Sequence, residues 1–515
     1  MTDEIARLPD GSRNPLFEQL QKVELGDVVD WLQAQLDEGE HPPSEFMGRF
    51  SQSDHMSIAE AVIDRIKRKE GDGHAPLIWD ESTFWVYRNG HWSPFADNMV
   101  KKVVARINRW AVPMSDRQES FSVNDGFVRS VYNVVKVECD SRGFFSGDIP
   151  TGIGFRNGFV QVSDQGIHIS EHKSENRQRH AHDFDWDPKA ECPRWLQFLE
   201  EVFERDDDKE EKKRFLAQFL GATLTGQAAV HNRAVLLIGV GANGKSVLCD
   251  VVEGLFPPKA VSSIPPHVMN NPSRVHVLSG CLLNIVTDIP TQELKDAGGF
   301  KQVISGDPVE GRRLYENPFR FRPVAGHIFS ANELPLAHDH SAGFFRRWVV
   351  MDFNSRFDPS VAIPRDELVT SLLDERPGIM RWALEGAVDL MKHKGLFVPA
   401  SHERNIEGWK RHSNQVQAYK ADMILEEYKC DTDNPGLTSQ RVYDNYKAWA
   451  EACHKVIMSK QAFCRRLSAL DVPNRRLSTG RHWGVRLRPA GGLSEMPDHS
   501  SSDDKPEDER ETEIG

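Results

Sequence analysis

One eight-residue stretch has residue types and spacing suited to phosphate chemistry. Residues 239–246 read GVGANGKS and match the pattern G-x-x-x-x-G-K-[ST] at every fixed position. The glycines let backbone N–H groups close around a phosphate, and a following helix adds a favourable dipole. We expect Lys245 to reach the β- and γ-phosphates of a nucleotide and Ser246 to bind Mg²⁺. The predicted nucleotide-binding residues are Gly239, Val240, Gly241, Ala242, Asn243, Gly244, Lys245 and Ser246.

The sequence on either side supplies the elements that this loop needs. The apolar run Ala234–Ile238 predicts a buried strand before the loop. Residues 247–255 predict an amphipathic helix after it, which Pro257 and Pro258 end. Strand, loop and helix in this order predict binding of a nucleoside triphosphate, with ATP and Mg²⁺ as the expected ligands.

Four later residues, in three segments, have types that would complete an ATPase. Asp288 ends the apolar run 281–287, where an acid can hold Mg²⁺ and activate the attacking water; a capping residue is the alternative. Asn332 ends the run 327–331, and its amide can orient that water. Arg346 and Arg347 precede the strand 348–353 and can enter the site of a neighbouring subunit as an arginine finger. A basic surface turn is the alternative for the two arginines.

A basic hairpin is predicted between these positions. Val309–Leu314 and Phe319–Arg322 predict two strands, joined by residues 315–318. Arginines on the strands suit a phosphate backbone, and an aromatic ring near the tip suits base stacking. The alternative is a sheet-edge hairpin that uses arginine for solubility. The candidate DNA-binding residues here are Arg312, Arg313 and Tyr315.

Composition excludes several classes of protein. The chain has 515 residues, so two to four domains are expected. No apolar run reaches the length of a membrane span, and no signal peptide is apparent at the N-terminus. The seven cysteines form no CxxC pair, which disfavours a zinc module and a disulfide scaffold. We therefore expect a cytoplasmic protein, in a bacterial cell or a phage-infected host, with no membrane partner.

The net charge of -13 hides an uneven distribution. Residues 491–515 contain nine acidic residues against two basic ones and are expected to be disordered. Residues 436–489 contain eleven lysines and arginines against three acidic residues. Their pattern of helix, helix and two strands (474–477 and 482–487) predicts a winged helix with its basic residues toward DNA. The candidate DNA-binding residues are Lys460, Arg465 and Arg466 on the second helix, and Arg475, Arg476 and Arg481 on the wing, with Arg481 in the turn.

The N-terminal part shows no catalytic pattern. Periodicity predicts helices at Leu16–Leu36 and Ile58–Lys67, and Asn89-Gly90 between aromatic-rich runs predicts a hairpin. The acidic and basic run 205–213 is interpreted as a solvated connection between two helices.

The ordered set of motifs resembles superfamily 3 helicases, in the form found in phage and plasmid primase–helicases. That form includes the satellite-phage alpha-protein and poxvirus primase–helicase type. The matching positions are the phosphate loop, Asp288, the segment SGDPVEGRR after Lys301, Asn332 in SANELP, and Arg346-Arg347. The likeness covers roughly residues 76–490, including the region that precedes the ATPase. One departure is that Asp288 is followed by Ile289 rather than by a second acid, so the resemblance alone leaves the general base unassigned.

The resemblance implies an α/β fold with an AAA+-type P-loop core in a ring, usually a hexamer, that moves on single-stranded and forked DNA. Asn332 would be the sensor, Arg346 or Arg347 the finger, and the Arg312–Tyr315 hairpin the DNA-gripping loop. No primer synthesis is expected from this chain, and a separate primase is a candidate partner. The expected boundaries are 1–75, N-terminal helical segment; 76–190, α+β domain; 191–232, helical collar; 233–395, ATPase core; 396–435, helical linker; 436–490, winged helix; 491–515, acidic tail.

Two other functions remain open from the sequence. One is an ATP-dependent initiator ring that binds an origin without processive unwinding. The other is a P-loop enzyme acting on a small molecule, which the basic C-terminal segment and the basic hairpin disfavour.

Overall fold

The computed structural model describes most of the chain between residues 49 and 488. The described ranges are 49–67, 76–107, 112–113, 121–146, 149–289, 297–314, 317–335, 337, 339, 341–358, 362–413, 415–431, 434–453, 455, 457–478 and 480–488. The predicted helix Leu16–Leu36 and the acidic tail lie outside them. Within these ranges no helix combines the length and apolarity that a membrane crossing requires.

The chain divides into two compact units. The first combines the residues before Pro150 with residues 173–179, and the second combines residues 150–172 with everything from His180 onward. The α+β domain predicted at 76–190 is therefore not one compact unit, because its strands after residue 150 pack into the second unit.

In the first unit, three helices and an antiparallel sheet share one apolar core. Its central strands are joined by Asn89 and Gly90, both at positive φ (50° and 80°), and Arg88 pairs with His91 across this two-residue turn. The predicted hairpin is confirmed. The elements are β1 (Arg49–Phe50), α1 (His55–Lys67), β2 (Leu77–Asp80), β3 (Thr83–Arg88), β4 (His91–Phe95), α2 (Asp97–Ala105), β5 (Val112–Pro113) and α3 (Asp125–Glu138).

The second unit begins with a three-stranded antiparallel sheet and two helices. The elements are β6 (Gly152–Phe155), β7 (Gly158–Ser163), β8 (Gly166–Ser170), α4 (Pro193–Val202) and α5 (Lys209–Leu224). Phe155 and Val160 are fully buried in the same core as Trp195 and as Leu237 of the sheet described next. This shared core explains why the strands after residue 150 leave the first unit.

The two helices differ from the prediction in one respect. The run 205–213 is not a solvated connection, because α5 begins at Lys209 and Lys212 is fully buried in it. Asp206 is also buried, and its carboxylate pairs with the Lys212 ammonium at 3.0 Å. The prediction assigned the charges to solvent because a charge run usually is solvated.

A five-stranded parallel sheet forms the centre of the second unit, in the order β10-β11-β14-β9-β15. Val235 and Leu237 enter one apolar core and Ala234 and Leu236 enter another, so both faces of β9 are covered. The strand predicted at Ala234–Ile238 is confirmed. The sheet strands are β9 (Ala234–Ile238), β10 (Val261–Ser262), β11 (Leu283–Val286), β14 (Gly326–Ala331) and β15 (Trp348–Asp352).

Helices and a short ribbon connect these strands and continue the chain. The ribbon is β12 (Val309–Gly311) with β13 (Phe319–Phe321), shorter than the predicted strands. The helices are α6 (Lys245–Gly254), α7 (Pro272–Val275), α8 (Gly298–Ile304), α9 (Ala342–Phe345), α10 (Arg365–Leu373), α11 (Arg376–His393) and α12 (Ser401–Ser413).

Helices α5 and α11 pack at unusually close range. A Cβ built on Gly221 would lie 2.1 Å from the Ala383 carbonyl oxygen, and one on Gly386 would lie 2.3 Å from the Ala217 carbonyl carbon. Only glycine permits this approach at either position. The contact fixes α11 against the helix that carries Lys212.

The C-terminal elements share a separate apolar core. Tyr419 and Met423 are fully buried there beside Tyr446, so the segment 415–423, predicted as part of a helical linker, packs with the residues after 436. Ser459 caps its helix as expected, since its side chain accepts a hydrogen bond from the Ala462 N–H. The elements are α13 (Gln415–Met423), β16 (Ile424–Glu427), β17 (Leu437–Thr438), α14 (Ser439–Ala452), α15 (Lys460–Ala469), β18 (Asn474–Leu477), β19 (Gly480–Trp483) and β20 (Val485–Leu487).

The predicted second strand of this C-terminal ribbon is two strands. β19 starts at Gly480, and Leu477 pairs with Gly480 across a two-residue turn. Arg481, predicted in the turn, therefore lies within β19. Gly484 then interrupts the strand, and a Cβ there would lie 1.8 Å from the Tyr428 carbonyl oxygen.

Candidate nucleotide site

The glycine-rich loop follows β9 and leads directly into α6. Ala242 and Gly244 have φ of 57° and 86°, so the loop turns through the left-handed region twice. The Lys245 ammonium donates hydrogen bonds to the Gly239 carbonyl and, at 3.2 Å, to Asn243 Oδ1. Lys245 thus lies across the loop, where a phosphate bound by the loop would meet it. Burial lowers the pKa of Lys245, so an anion here would favour its charged form.

The loop is held from behind by the chain that leaves β15. Asn243 is 3% exposed, and its side-chain amide donates to the Phe353 carbonyl at 3.4 Å. The Phe357 N–H donates to the Ala242 carbonyl at 2.8 Å. On the other side, a Cβ on Gly244 would lie 2.7 Å from Val202 of α4. These contacts fix the loop before any ligand binds, and Ser246 stays exposed in the first turn of α6.

Because the strands are parallel, their carboxyl ends meet at one edge of the sheet, here called the carboxyl edge. It carries the phosphate loop after β9, Asp288 after β11 and Asn332 after β14. Ala331 pairs with Ile238, so Asn332 follows its strand at the same level as Gly239. The Ile289 N–H donates to the Ser330 carbonyl at 2.8 Å, which holds Asp288 beside the same strand.

Asp288 and Asn332 are both exposed. Asp288 has φ of +61°, and its charge favours the protonated form of Lys245. Among the described residues, no cluster of three or more histidine, cysteine or acidic side chains exists that could hold a metal alone. Magnesium here would use Ser246, Asp288, water and phosphate oxygens, the ligand set that this ion prefers.

The opposite, amino edge of the same sheet carries arginines. Arg346 and Arg347 precede β15, and the Ala234 N–H donates to the Arg347 carbonyl at 2.7 Å. β9 separates this edge from the loop by about 16 Å, given the rise of a strand. The two arginines therefore do not meet the phosphate loop of their own chain.

The two arginines differ in what they contact. The Arg347 guanidinium donates to the Lys301 carbonyl at 3.1 Å, to Ser305 Oγ at 2.8 Å and to the Gly343 carbonyl. Burial and the charge of Arg346 lower the pKa of Arg347. Arg346 is exposed.

A third arginine at this edge was missed by the sequence analysis. Arg233 immediately precedes β9, and its guanidinium donates to the carbonyls of Arg346 and, at 3.4 Å, of Trp348. Burial and the charge of Arg346 lower the pKa of Arg233. The sequence could have indicated this residue, because Arg233 immediately precedes the predicted strand and must therefore lie at the amino edge.

A buried ionic cluster near the loop was also missed. The Lys212 ammonium contacts Asp206 at 3.0 Å, Asp352 Oδ1 at 2.8 Å and Asp208 at 3.8 Å. Burial alone would raise the pKa of Asp352, but hydrogen bonds from Lys212 and from two asparagines lower it to about 2. Asp352 ends β15, so this cluster fixes the segment that braces the loop.

The predicted DNA-binding residues lie in two separate places. In the ribbon, the Arg312 N–H donates to the Pro272 carbonyl at 3.0 Å, and the Arg313 guanidinium lies 4.6 Å from the Phe319 ring centroid. Tyr315 lies outside the described residues, and its neighbour Leu314 is 79% exposed.

The second group lies on α15 and the C-terminal ribbon. Arg476 pairs directly with Arg481 across β18 and β19, an arrangement of like charges that an anion would relieve. Lys460 donates to the Gln440 side chain at 2.7 Å. The exposed members are Lys460, Arg465, Arg475, Arg476 and Arg481, whereas Arg466 is half-buried.

Comparisons with known proteins match two stretches of the chain, one that ends before β9 and one that includes the glycine-rich loop. A family model described as "D5 N terminal like" matches residues 59–204, and one described as "Family of unknown function (DUF5906)" matches residues 237–347. A protein of Acanthamoeba polyphaga mimivirus described as a "putative helicase" is 23% identical over 261 residues. That match covers 46% of this chain and 26% of the relative, so the chain spans about a quarter of the relative's length. Together these matches support a phage and viral primase–helicase family for this chain.

Solved structures of an NrS-1 C-terminal region are also similar. One apo structure has a TM-score of 0.44 at 11% identity and covers 85% of this chain and all of that chain. The A-form apo structure of residues from the same region has a TM-score of 0.40 at 13% identity, covering 81% of this chain and 87% of that chain.

Proposed function

We propose that this chain is an ATP-dependent DNA helicase of superfamily 3 that acts in the replication of a phage, plasmid or integrated element. The observation that carries the proposal is the division of one sheet between a phosphate loop at its carboxyl edge and arginines at its amino edge. Such a division requires two copies of the chain for one complete site. The family matches, and the helicase description of the mimivirus relative, support the same function.

The core is of the AAA+ type in this proposal. Numbered in chain order within the sheet, the strands stand in the order 2-3-4-1-5, with the loop after strand 1 and the candidate acid after strand 3. Placing the loop, Asp288 and Asn332 on three adjacent strands brings them together without any long-range loop. Ligands of open parallel sheets bind at this edge.

Each residue at the carboxyl edge has a distinct role. Lys245 and the loop amides bind the phosphates of ATP and hold them in position. Asp288 accepts the proton of the attacking water, and the Asn332 amide orients that water. Magnesium, when bound beside Ser246, would neutralise charge on the β- and γ-phosphates.

At the amino edge, Arg346 is the residue we assign as the finger. Its exposed guanidinium is available to the nucleotide of a neighbouring copy, whereas Arg347 is committed to Lys301, Ser305 and Gly343. Arg347 thereby fixes the turn that presents Arg346. The neighbouring charge of Arg233 disfavours retraction of Arg346 toward its own chain.

The DNA contacts are assigned to the ribbon and the C-terminal module. The ribbon presents Arg312, Arg313 and the exposed Leu314 around its tip. The C-terminal order α13, β16, β17, α14, α15, β18, β19 and β20 supports a winged helix, in which two helices are followed by a ribbon. A hexameric ring would place six ribbons around one strand of DNA.

The C-terminal module also supports a second function. A winged helix next to an ATPase suits an origin-binding initiator ring that does not unwind processively. Hydrolysis stimulated by DNA, without strand separation, would favour this second function.

The test is separation of a forked DNA duplex by the wild-type chain beside Lys245→Ala. Lys259→Ala is the matched control, because Lys259 is an exposed lysine of the same core that lies away from the loop. We expect wild type and control to separate the strands with ATP, and Lys245→Ala to be inactive. Equal activity of Lys245→Ala and wild type would reject the phosphate loop as the motor site.

The ribbon has its own test. Arg313→Gln should abolish unwinding while DNA-free ATP hydrolysis continues, because the residue would contact DNA and not nucleotide. Loss of both activities together would mean that the ribbon is structural.

A further inference from the structure

A basic groove in the C-terminal module is separate from the predicted winged-helix contacts. It has a volume of about 680 Å³ and lies between β16, β20 and the first half of α14. This volume is within the range of pockets that hold small ligands or parts of a chain. Its lining residues include Glu426, Tyr428, Asn434, Arg441, Arg486 and Arg488.

The charge of the groove is positive and incompletely matched. Glu426 is its one lining acid, and it lies opposite Arg486 in the strand register of β16 and β20 without forming a described ion pair. The ion pairs that the structure describes in this module join Lys420 to Glu427 and Lys447 to Asp444. Within the described part of the chain, none of Arg441, Arg486 and Arg488 has a carboxylate within ion-pair distance. Three guanidiniums in the groove therefore remain available to an anion.

Backbone hydrogen bonds hold the groove in shape. The Arg488 N–H donates to the Met423 carbonyl at 2.8 Å, and the Asn445 side chain donates to the Arg488 carbonyl at 3.2 Å. The Tyr428 N–H donates to the Gly484 carbonyl at 2.8 Å. Arg486 thus projects from a paired strand and Arg441 from a helix, and the backbone of Arg488, just after that strand, is held by hydrogen bonds at both its N–H and its carbonyl.

The groove lies on a different flank of α14 from the predicted recognition helix. On one flank of α14, Gln440 accepts a hydrogen bond from Lys460 at the start of α15. This flank therefore faces the predicted recognition helix. Arg441 and Asn445 are four residues apart, so they share the other flank and face the groove. The groove and the predicted recognition helix therefore lie on different flanks of α14.

We propose that this groove binds the phosphate backbone of single-stranded DNA as a second DNA contact of the C-terminal module. Guanidinium groups bind phosphate oxygens in bidentate fashion, and Tyr428 supplies an aromatic ring of the kind on which bases stack. Leu437 and Val485 add apolar surface in the lining. The inference rests on the proposed function for its choice of DNA, but binding here requires no ATP hydrolysis.

The test measures binding of a fluorescein-labelled oligothymidylate to the full chain by anisotropy, without nucleotide and over a range of salt. The variant is Arg441→Gln/Arg486→Gln/Arg488→Gln. The matched control is Lys392→Gln/Lys394→Gln/Arg404→Gln, three exposed basic residues elsewhere in the same unit. Thermal melting verifies that each variant is folded.

We expect the groove variant to bind about tenfold or more weakly at low salt, and its slope of log K against log salt to fall by about 2, for three lost phosphate contacts. The control should keep the wild-type slope. If the triple variant does not fold, Arg441→Gln and Arg486→Gln alone should each reduce the slope by about 0.7.

Unchanged slopes in a folded groove variant would overturn the inference. It would also be overturned if a labelled peptide with the sequence of residues 491–515 bound wild type, lost binding in the groove variant, and oligothymidylate binding did not change. The groove would then take an acidic peptide. The binding assay contains no ATP. If the wild type fails to hydrolyse ATP in a separate assay, the proposed motor function is contradicted, but the binding result still tests the groove.

Discussion

The two edges of the parallel sheet differ in the kind of charge chemistry they present. The carboxyl edge carries a preformed phosphate loop with a titratable lysine, an exposed acid and an exposed amide. The amino edge carries three arginines that crowd one another, and burial and mutual repulsion lower the pKa of two of them, Arg233 and Arg347. The first edge is arranged to receive an anion, and the second is arranged to deliver a cation.

Under the proposed function, neither edge alone makes a complete catalytic site. The strands between them keep the two sets apart by about 16 Å within one chain, and no side chain spans that distance. A neighbouring copy can bring its amino edge to this carboxyl edge. Under the proposed function, ATP hydrolysis is a property of the contact between copies, while ATP binding is a property of each copy.

The largest effect is expected from removing the cation at the amino edge. Arg346→Ala should lower the rate of ATP hydrolysis by about 10³–10⁵-fold, as for other arginine fingers, and leave nucleotide binding intact. Steady-state hydrolysis and titration with a fluorescent nucleotide measure the two effects.

Mixing two inactive variants tests whether the two edges act together across the contact between copies. Arg346→Ala and Lys245→Ala, combined in equal amounts, should regain activity because about a quarter of head-to-tail contacts then pair an intact loop with an intact arginine. Either variant mixed with itself is the control. If such mixtures form rings but regain no activity, the two edges do not act together across the contact between copies, which would contradict the prediction.

The next largest effect is expected at the carboxyl edge. Asp288→Asn should lower hydrolysis by about 10²–10⁴-fold, the usual range for a general base, and keep ATP bound. Asparagine is the informative substitution because it tolerates the left-handed φ of +61° found at this position. Glu333→Gln, beside Asn332 and exposed, is the control; an equal loss in both variants would reject the role of Asp288.

A smaller effect is expected behind the loop. Lys212→Met leaves Asp206 and Asp352 without their cation, and breaking a buried pair of this kind costs about 3–5 kcal/mol in stability. Because Asp352 ends the strand that braces the loop, KM for ATP should rise more than kcat falls in the folded fraction. Denaturant unfolding and steady-state kinetics measure both.

Lys213→Met is the matched control for that variant. Lys213 pairs with Glu200 and Glu210 near the surface, and neither of these partners belongs to β15. If both variants lost the same stability and kept the same KM, the cluster would have no specific connection to the loop.

The smallest expected effect is a pH dependence of ATP affinity, which comes from the lysine of the carboxyl edge and not from the arginines of the amino edge. Burial lowers the pKa of Lys245 below its usual 10.5, whereas arginine remains charged throughout the accessible range. ATP affinity should therefore decline as pH rises toward 10.5, since the neutral amine no longer attracts phosphate. Titrations from pH 7.5 upward should show the same decline in Arg346→Ala; a flat profile in both would contradict it.

The sequence predicted the parts of the site that depend on local order. The loop, its strand and its helix are contiguous, so a motif and a hydrophobic pattern were enough. Asp288 and Asn332 each follow an apolar run, and parallel strands then place them at the same edge. The phage and viral primase–helicase resemblance was confirmed at the level of the family.

What sequence patterns did not predict depends on contacts between distant residues. Lys212 looked solvated because its partner Asp352 is 140 residues away. The strands after residue 150 looked like part of the preceding domain because only their packing on α4 and α11 assigns them elsewhere. Arg481 was predicted in a turn but lies within β19. The close approach of Gly484 to the Tyr428 carbonyl, a contact between distant residues, ends that strand.

The packing of Val202 against Gly244 has a practical consequence for anyone who dissects this chain. A fragment cut at the predicted ATPase boundaries, 233–395, would lose three contacts. They are the packing of α4 on the phosphate loop, the ion pair of Lys212 with Asp352, and the hydrogen bond from the Val350 N–H to His402. The smallest piece that retains those three contacts runs from Pro193 to at least His402. The structural unit that supports the glycine-rich loop is thus larger than the stretch of sequence that carries the motifs.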